Sequence, residues 1–264
     1  MDGGSTKRSA RMVALLALVD EKGTIEVSEL ARLLNASAAT IRRDVTVLAE
    51  EGLLLRRHGA VRRMGRDSEL PVRLRDARHR APKRAIAQAV LRMLPAGRHV
   101  ISLTGGTTTT EVMRALHHRH DLTIVTNSLT LAVEAANQGQ SRVLVAGGML
   151  RPNSQELVGS LAEATFNQVQ VGTAIVGCDG VSADGGLTTH DEVEARTNHT
   201  MIAHAQRVIA VADGSKIGRV LSWPIADLNE INHLVTDSSA NPRELALIRA
   251  QHVDVTVVQP ETLP

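Results

Sequence analysis

The sequence predicts an α/β protein in two parts. A winged helix-turn-helix stands at the amino end, and a mostly parallel sheet with helices on both faces follows it. Three observations predict this. Apolar residues recur at helical spacing three times in the first 50 residues, and a short basic hairpin comes next. From residue 83 onward, apolar strand-like runs alternate with helical patterns, as in sheets built from parallel strands. Charge divides the same way: the first 82 residues hold 16 Lys/Arg against 11 Asp/Glu, and the remainder 14 against 17. A basic piece on a mildly acidic body suits a polyanionic partner for the first piece. The competing explanation is a solvated basic surface, since the surplus is small.

Composition excludes several classes. The chain has 264 residues, 43% hydrophobic and 22% charged, which is ordinary globular usage. No run approaches the roughly 20 apolar residues of a membrane span. The apolar stretch 13–19 follows a basic start but runs into Asp20-Glu21-Lys22 without a small-residue cleavage site. It reads as a helix core in a cytoplasmic protein, not as a signal peptide. Cys178 is the single cysteine, so an internal disulfide framework and a multi-cysteine metal site are excluded. The aromatic residues are Phe166 and Trp223, with no tyrosine. Single-stranded nucleic acid is gripped largely by stacking on aromatic rings, so duplex DNA is the expected polyanion. His117-His118-Arg119-His120 reads as a cationic helix end, with no companion cluster of metal ligands. No metal and no cofactor are expected.

In chain order, residues 1–8 are polar and expected to be disordered. Met12, Leu15, Leu16 and Val19 mark a first helix, ended by Lys22-Gly23. Val27, Leu30, Ala31 and Leu34 mark a second, and Asn35-Ala36-Ser37 a turn. A third helix begins near Ala38, turns Ile41, Val45 and Leu48 inward, and ends at Gly52. Its other face presents Ala39, Arg42, Arg43 and Thr46. Residues 53–57 and 60–63 form a hairpin about His58-Gly59. Arginine reads guanine bidentately or pairs with phosphate. The candidate DNA contacts are therefore Ser37, Ala39, Thr40, Arg42, Arg43 and Thr46 on the third helix, with Arg56, Arg57 and His58 on the wing. The alternative is a small helical bundle with exposed arginines. Helix order, basic face and basic wing together favour the DNA reader. Residues 1–61 make this domain. Residues 62–82, with Pro71, Pro82, Arg73, Arg75, Arg78 and Arg80, read as a basic linker, and 83–264 as the α/β domain.

In the α/β domain a helix is expected over 84–94. Strands are expected at 100–103, 122–125, 143–145, 173–176, 208–211, 234–235 and 253–258. Open α/β sheets bind ligands beyond the carboxyl ends of their strands, so the segments that follow the strands matter most. After the first come Thr104, Gly105, Gly106, Thr107 and Thr108, a Gly-Gly turn opening a helix. Helix N-termini attract anions, glycine admits a ligand close to the backbone, and threonine hydroxyls add donors. This is a phosphate cradle or an ordinary threonine-capped turn. Later strand ends add Thr126 and Asn127, then Gly147 and Gly148, then Gly177-Cys178-Asp179-Gly180, then Asp213-Gly214-Ser215-Lys216. An amide, an ammonium and carboxylates suit a small polyhydroxylated phosphate. Asp179 either accepts ligand hydroxyls or caps its turn with Gly180. Glu192 reads as a helix-start acid. Cys178 has no evident histidine partner, and no catalytic residue is expected.

With these residues in place the chain resembles the DeoR family of bacterial transcription regulators, from about residue 9 to 258. In the first domain the resemblance rests on Ala38-Ala39-Thr40-Ile41-Arg42-Arg43-Asp44-Val45 and Gly52-Leu53-Leu54-Leu55-Arg56-Arg57-His58-Gly59. In the second it rests, in register, on Gly106-Thr107-Thr108, Thr126-Asn127, Gly147-Gly148, Gly177-Cys178-Asp179-Gly180, Gly186-Leu187-Thr188-Thr189, Glu194-Ala195 and Asp213-Gly214-Ser215-Lys216-Ile217-Gly218. The resemblance implies a sensor domain related in fold to ribose-5-phosphate isomerase. It implies a phosphorylated sugar or related effector held by Thr104, Gly105, Gly106, Thr107, Thr108, Thr126, Asn127, Gly147, Gly148, Asp179, Glu194 and Lys216. It also implies a homo-oligomer, dimer or tetramer, and repression of a carbohydrate operon relieved by the effector. The family's usual acid two positions before Gly-Thr-Thr is Thr104 here, Cys178 replaces a usual alanine, and Gly59-Ala60 stands for Gly-Gly. Operator duplex DNA, the effector and further copies of the chain are the expected partners, with no membrane. The competing function is a sugar-phosphate isomerase carrying a DNA-binding arm.

Overall fold

The computed structural model describes residues 3–57, 59–65, 69–76, 79–139 and 142–260. Contacts divide the chain into two units, Met1–Arg78 and His79–Pro264.

The first unit runs α1 (Gly3–Lys22), β1 (Thr24–Glu26), α2 (Val27–Leu33), α3 (Ala38–Glu50), β2 (Leu54–Arg57), β3 (Ala60–Arg63) and α4 (Val72–Arg75). The three helices and the hairpin stand where apolar periodicity puts them. Leu15, Leu16, Leu30, Ile41, Leu48 and Val61 meet in one core. Helix α1 starts at Gly3, although residues 1–8 were expected to be disordered. An ion-pair anchor accounts for its first turns: Arg8 and Arg11 reach the buried Asp44 of α3 at 3.3 and 2.6 Å. Asn35 ends α2 in the left-handed region (φ 47°), a conformation asparagine tolerates. Strand β1 was not anticipated. Three residues carry no readable period, yet Ile25 lies opposite Val61 and β1 completes a sheet in the order β1-β3-β2.

The stretch read as a linker is partly built into this unit. Strand β3 continues to Arg63, and α4 places Val72 and Leu74 among buried residues. Arg73 pairs with Glu51, and Arg75 lies 3.7 Å from Glu69. Arg78 lies outside the described residues.

The second unit runs α5 (Arg80–Met93), β4 (His99–Leu103), α6 (Thr107–Ala115), β5 (Leu122–Thr126), α7 (Leu129–Asn137), β6 (Val143–Val145), β7 (Met149–Arg151), β8 (Glu156–Val158), α8 (Ser160–Phe166), β9 (Thr173–Gly177), β10 (Gly180–Ser182), β11 (Gly186–Thr189), α9 (Glu192–Ala203), β12 (Val208–Val211), β13 (Trp223–Ala226), β14 (His233–Asp237), α10 (Pro242–Ala250) and β15 (Asp254–Val258). Helix α5 begins at Arg80, four residues before the expected start, and follows His79 in the left-handed region (φ 52°).

The seven strand-like runs form one parallel sheet in the order β15-β14-β12-β9-β4-β5-β6. Side chains alternate between its faces, as the pleat requires. Ile101, Ile124, Ile175 and Ile209 pack with Ile86 of α5, Val112 of α6 and Leu131 of α7. Val125, Ala174, Val176 and Ala210 pack with Phe166 of α8, Met201 of α9 and Ile248 of α10. Helices thus cover both faces, as the alternation predicted. Two small sheets went unforeseen: the hairpin β7-β8 and the antiparallel set β10-β11-β13. Among the described residues no helix is long and apolar enough to cross a membrane.

The docked segment after the wing gives a test. Leu74→Ala removes a fully buried side chain from the first unit's core. Such truncations cost about 2–5 kcal/mol. In a urea titration of the whole protein, the transition of the first unit is expected to fall and that of the second to stay. Unchanged transitions would contradict this placement.

Candidate functional site

The first candidate surface is the outer face of α3. Ser37 caps the helix, its hydroxyl accepting from Thr40 N–H at 3.2 Å and lying 2.9 Å from the Thr40 hydroxyl. Ala39, Arg42 and Arg43 are exposed, and Thr46 is partly so. These positions share one helical face. The Thr46 hydroxyl donates to Arg42 O at 2.9 Å and accepts from Arg56 Nη1 at 3.0 Å. Wing and helix therefore meet at Thr46, and Arg57 stands exposed beside them in sequence. Asp44, on the inward face, ties the same helix to α1. His58 lies outside the described residues.

The second candidate site is set by strand order. Strands β4, β5 and β6 advance one way across the sheet, and β9, β12, β14 and β15 the other. The reversal falls between β4 and β9, where doubly wound sheets open a crevice at their carboxyl ends. Thr104 joins the two strands there. Its N–H donates to Ile175 O at 3.2 Å, and its hydroxyl accepts from Gly177 N–H at 2.9 Å. Thr104 is fully buried. It staples the two strands at the reversal. Thr126 acts alike: it is fully buried, donates to Leu103 O at 2.8 Å and accepts from Ser128 N–H at 3.1 Å.

Gly106 is the N-cap of α6 with φ 126°, a backbone state that suits glycine. It offers no capping side chain. Thr109 and Thr110 donate their hydroxyls to Gly106 O at 2.9 and 2.7 Å. No hydrogen bond among the described residues engages the N–H groups of Thr107, Thr108 and Thr109 or the hydroxyls of Thr107 and Thr108. The four threonines therefore divide, two closing the turn and two facing the N-terminal field of the helix.

A polar chain links the ends of β7, β9 and β11, the start of α9 and the turn after β12. Lys216 Nζ meets Asp179 Oδ1 at 2.8 Å. Thr189 donates to Glu194 Oε1 at 2.8 Å and lies 3.4 Å from Asp179 Oδ2. Glu194 Oε2 accepts from Arg151 Nη1 at 3.0 Å, and Arg151 Nε lies 3.2 Å from Asp191. Asp191 caps α9 through Glu194 N–H at 2.9 Å. Burial opposes its charge, but that bond and Arg151 hold its carboxyl below the usual range. Asp213 caps the turn Gly214–Lys216 that presents Lys216. Asn127 is fully buried and donates to Asn198 Oδ1 at 3.4 Å, while its own Oδ1 has no partner among the described residues. Gly148 lies against β8, where a Cβ would stand 2.7 Å from Val158 O, and Gly147 is exposed.

Sequence reasoning missed Arg151, Glu156, Asn198 and, as a site residue, Thr189. Glu156, 1% exposed, crosses from β8 to accept the Gly105 N–H. A Cβ on Gly105 would lie 2.5 Å from Glu156 Cγ. The only available signal was an acid opening an otherwise apolar Glu-Leu-Val run.

Known proteins agree with this architecture. Residues 11–66 match the DeoR-like helix-turn-helix domain, and residues 78–238 the DeoR C terminal sensor domain. The HTH-type transcriptional repressor CsqR of Escherichia coli (strain K12) is 32% identical over 247 residues, covering 94% of either chain. The glycerol-3-phosphate regulon repressor of the same strain is 29% identical over 249 residues, covering 94% of this chain and 98% of that one. Among solved structures, ribose 5-phosphate isomerase from Methanocaldococcus jannaschii aligns at 14% identity over 53% of both chains, with a TM-score of 0.36.

Cys178 follows β9 in the crevice wall. Burial first, and neighbouring Asp179 second, push its thiol up to about 12. A thiol raised in this way is a weak nucleophile near neutrality. Iodoacetamide at pH 8 is expected to label the native protein about a thousandfold more slowly than the unfolded chain, from the thiolate fractions. Because the folded thiol titrates above the unfolded one, its contribution to stability is full below about pH 8.5 and is lost as pH rises toward 12. Cys178→Ser should remove that alkaline loss; fast native labelling would refute the assignment.

Proposed function

Since the chain belongs to the DeoR family of transcriptional regulators, we propose that it represses a carbohydrate operon and is released by a phosphorylated sugar. Residues 1–61 read the operator, 62–82 connect, and 83–264 sense the effector and assemble the chain into a dimer or tetramer. The observation that carries this reading is Gly106. It leaves the N-terminus of α6 without a capping side chain at the one reversal of strand order in the sheet. Anions bind such helix ends. The glycerol-3-phosphate regulon repressor, a relative along nearly the whole chain, supports a phosphorylated ligand.

In this reading Ala39, Thr40, Arg42 and Arg43 meet the major groove. Thr46 and Arg56 hold the wing to the helix, and Arg57 and His58 approach phosphate. Gly105, Gly106, Thr107 and Thr108 hold the ligand phosphate. Lys216, Asp179, Glu194 and Asn127 address its remaining polar groups. Gly148 shapes the crevice wall. The protein works in the cytoplasm and catalyses nothing. Lys216 is paired with Asp179 and Arg151 with Glu194, which supports a binding site over an isomerase. Effector binding favours an arrangement of the oligomer whose helix spacing no longer fits the operator, a population shift set by differential affinity.

Two variants test the division of labour, read by fluorescence anisotropy on the intergenic DNA beside its gene. Arg42→Ala should weaken DNA binding by about 1–3 kcal/mol if it reads a base, with effector response intact. Lys216→Ala removes a cation and uncovers the Asp179 carboxylate, so DNA binding should persist while release is lost. A normal release response in Lys216→Ala would remove Lys216 from the site.

A thermal shift panel of glycerol 3-phosphate, ribose 5-phosphate, glucose 6-phosphate and fructose 1-phosphate tests the sensor itself. A ligand present at about a hundred times its Kd stabilises the folded state by about 2.7 kcal/mol. No shift with any of them, alongside a shift with DNA, would reject the sugar-phosphate reading.

A further inference from the structure

A second concavity lies at the opposite end of the parallel sheet. The crevice opens at the carboxyl ends of the strands, and this cavity opens at their amino ends. It encloses about 580 Å³, within the usual range for small-molecule sites. Its wall follows strand order. Gln206 precedes β12, Gln170 precedes β9, Arg98 precedes β4, His120 precedes β5 and Arg142 precedes β6. Backbone bonds fix the wall: Gly172 N–H donates to Val100 O at 2.9 Å, and Val171 N–H to His204 O at 3.0 Å. Gly172 also makes room for a ring. A Cβ there would stand 2.1 Å from His99 Cε1, and His99 Nε2 lies 3.0 Å from the Thr173 hydroxyl.

Charge in this cavity is one-sided. The acid in its wall, Asp121, is already taken by Arg119, which donates to its two oxygens at 2.8 and 3.0 Å. Arg119 and Arg207 also donate to carbonyls where α5 ends, at Pro95 O (2.7 Å) and Met93 O (3.2 Å). Such bonds are what cations make at helix carboxyl ends. Arg98 and Arg142 make none of this kind. Both are exposed, and no ion pair or hydrogen bond among the described residues engages either guanidinium. They stand two strand spacings apart, about 10 Å across the sheet. A guanidinium pairs bidentately with phosphate or carboxylate, so two of them without an acid suit a ligand with more than one anionic group. On the β9 and β12 side the wall turns to amides, with Gln170 Nε2 held 2.9 Å from His204 Nδ1. Cations that line a hollow reach a small molecule more readily than the outside of a duplex.

We infer that this amino-end cavity is a second ligand site, separate from the crevice, which binds a small anion carrying two or more phosphate or carboxylate groups, held by Arg98 and Arg142. The inference stands apart from the sugar-phosphate reading of the crevice. The two sites lie at opposite ends of the same strands, so each can be emptied without touching the other.

The test is isothermal titration of the whole DNA-free protein with citrate, inorganic pyrophosphate and magnesium-free ATP, with acetate as the singly charged comparison. Wild type, the double variant Arg98→Ala/Arg142→Ala and Lys216→Ala are compared. Wild type should bind at least one of the three polyanions once per chain, about tenfold or more tighter than acetate. The double variant should weaken that binding about tenfold or more. Both arginines are exposed, so its thermal midpoint without ligand should match that of wild type. If wild type binds none of the three at millimolar concentration, the inference fails. It also fails if the double variant binds them as wild type does. A loss in Lys216→Ala as large as in the double variant would place the polyanion in the crevice and overturn the second site. A double variant that keeps its polyanion affinity but loses affinity for a duplex of random sequence would make this rim a DNA contact, and likewise overturn it.

Discussion

The bond from Gly177 N–H to the Thr104 hydroxyl carries more of this structure than its 2.9 Å suggests. Parallel strands diverge from their neighbours where the direction of winding reverses, and a crevice opens there. Left to itself, the reversal between β4 and β9 would leave backbone groups unmatched at the sheet's carboxyl end. Thr104 matches them from both sides, with its N–H on Ile175 and its hydroxyl on Gly177. The Gly105-Gly106 turn, the start of α6 and the Cys178-Asp179 loop are all positioned from that point. An acidic residue at this position would bring a charge where a fully buried neutral hydroxyl now serves the backbone. A carboxylate reaches the neighbouring Gly105 N–H from another strand, as Glu156.

Charge in the second unit's crevice is arranged in contacts of opposite sign. Lys216 faces Asp179, and Arg151 lies between Glu194 and Asp191. Thr189 links the two groups. Buried polar groups are costly when unmatched and rigid when matched, so such a chain fixes the loops that carry it. These residues come from five places: the end of β7, the end of β9, the end of β11, the start of α9 and the turn after β12. In the first unit the same economy appears in smaller form. Asp44 points inward to Arg8 and Arg11, and its neighbours Arg42 and Arg43 point outward with the helix thereby held.

Much of this was legible in the sequence, for physical reasons that also explain the gaps. Strands buried on both faces read as apolar runs, so all seven strands of the parallel sheet stood out. The helices of the first unit stood out through their 3.6-residue period. Outside the wing hairpin, antiparallel strands of three or four residues beyond the main sheet have neither signal, which hid β1, β7, β8, β10, β11 and β13. That Thr104 and Thr126 also bond to backbone was not legible, because a hydroxyl looks the same in sequence whether it serves a ligand or a backbone. Arg151 and Glu156 were invisible for the opposite reason. They reach the crevice only because a hairpin folds back over it, and that contact spans 51 residues for Glu156 and Gly105. The apolar Leu74 sat in a stretch whose arginines and prolines outweighed it.

His79 stands at the boundary between the units with φ 52°, a conformation that costs a non-glycine residue some strain. The next residue opens α5, and α5 packs its Ile86 and Val90 in one core with Val112 and Met113 of α6. Glu111 of α6 also lies 3.7 Å from Arg84 of α5. The helix whose N-terminus borders the crevice is therefore wedded to the helix that starts one residue after a strained torsion. Glycine at position 79 would relieve that strain, since glycine takes positive φ without cost from a Cβ.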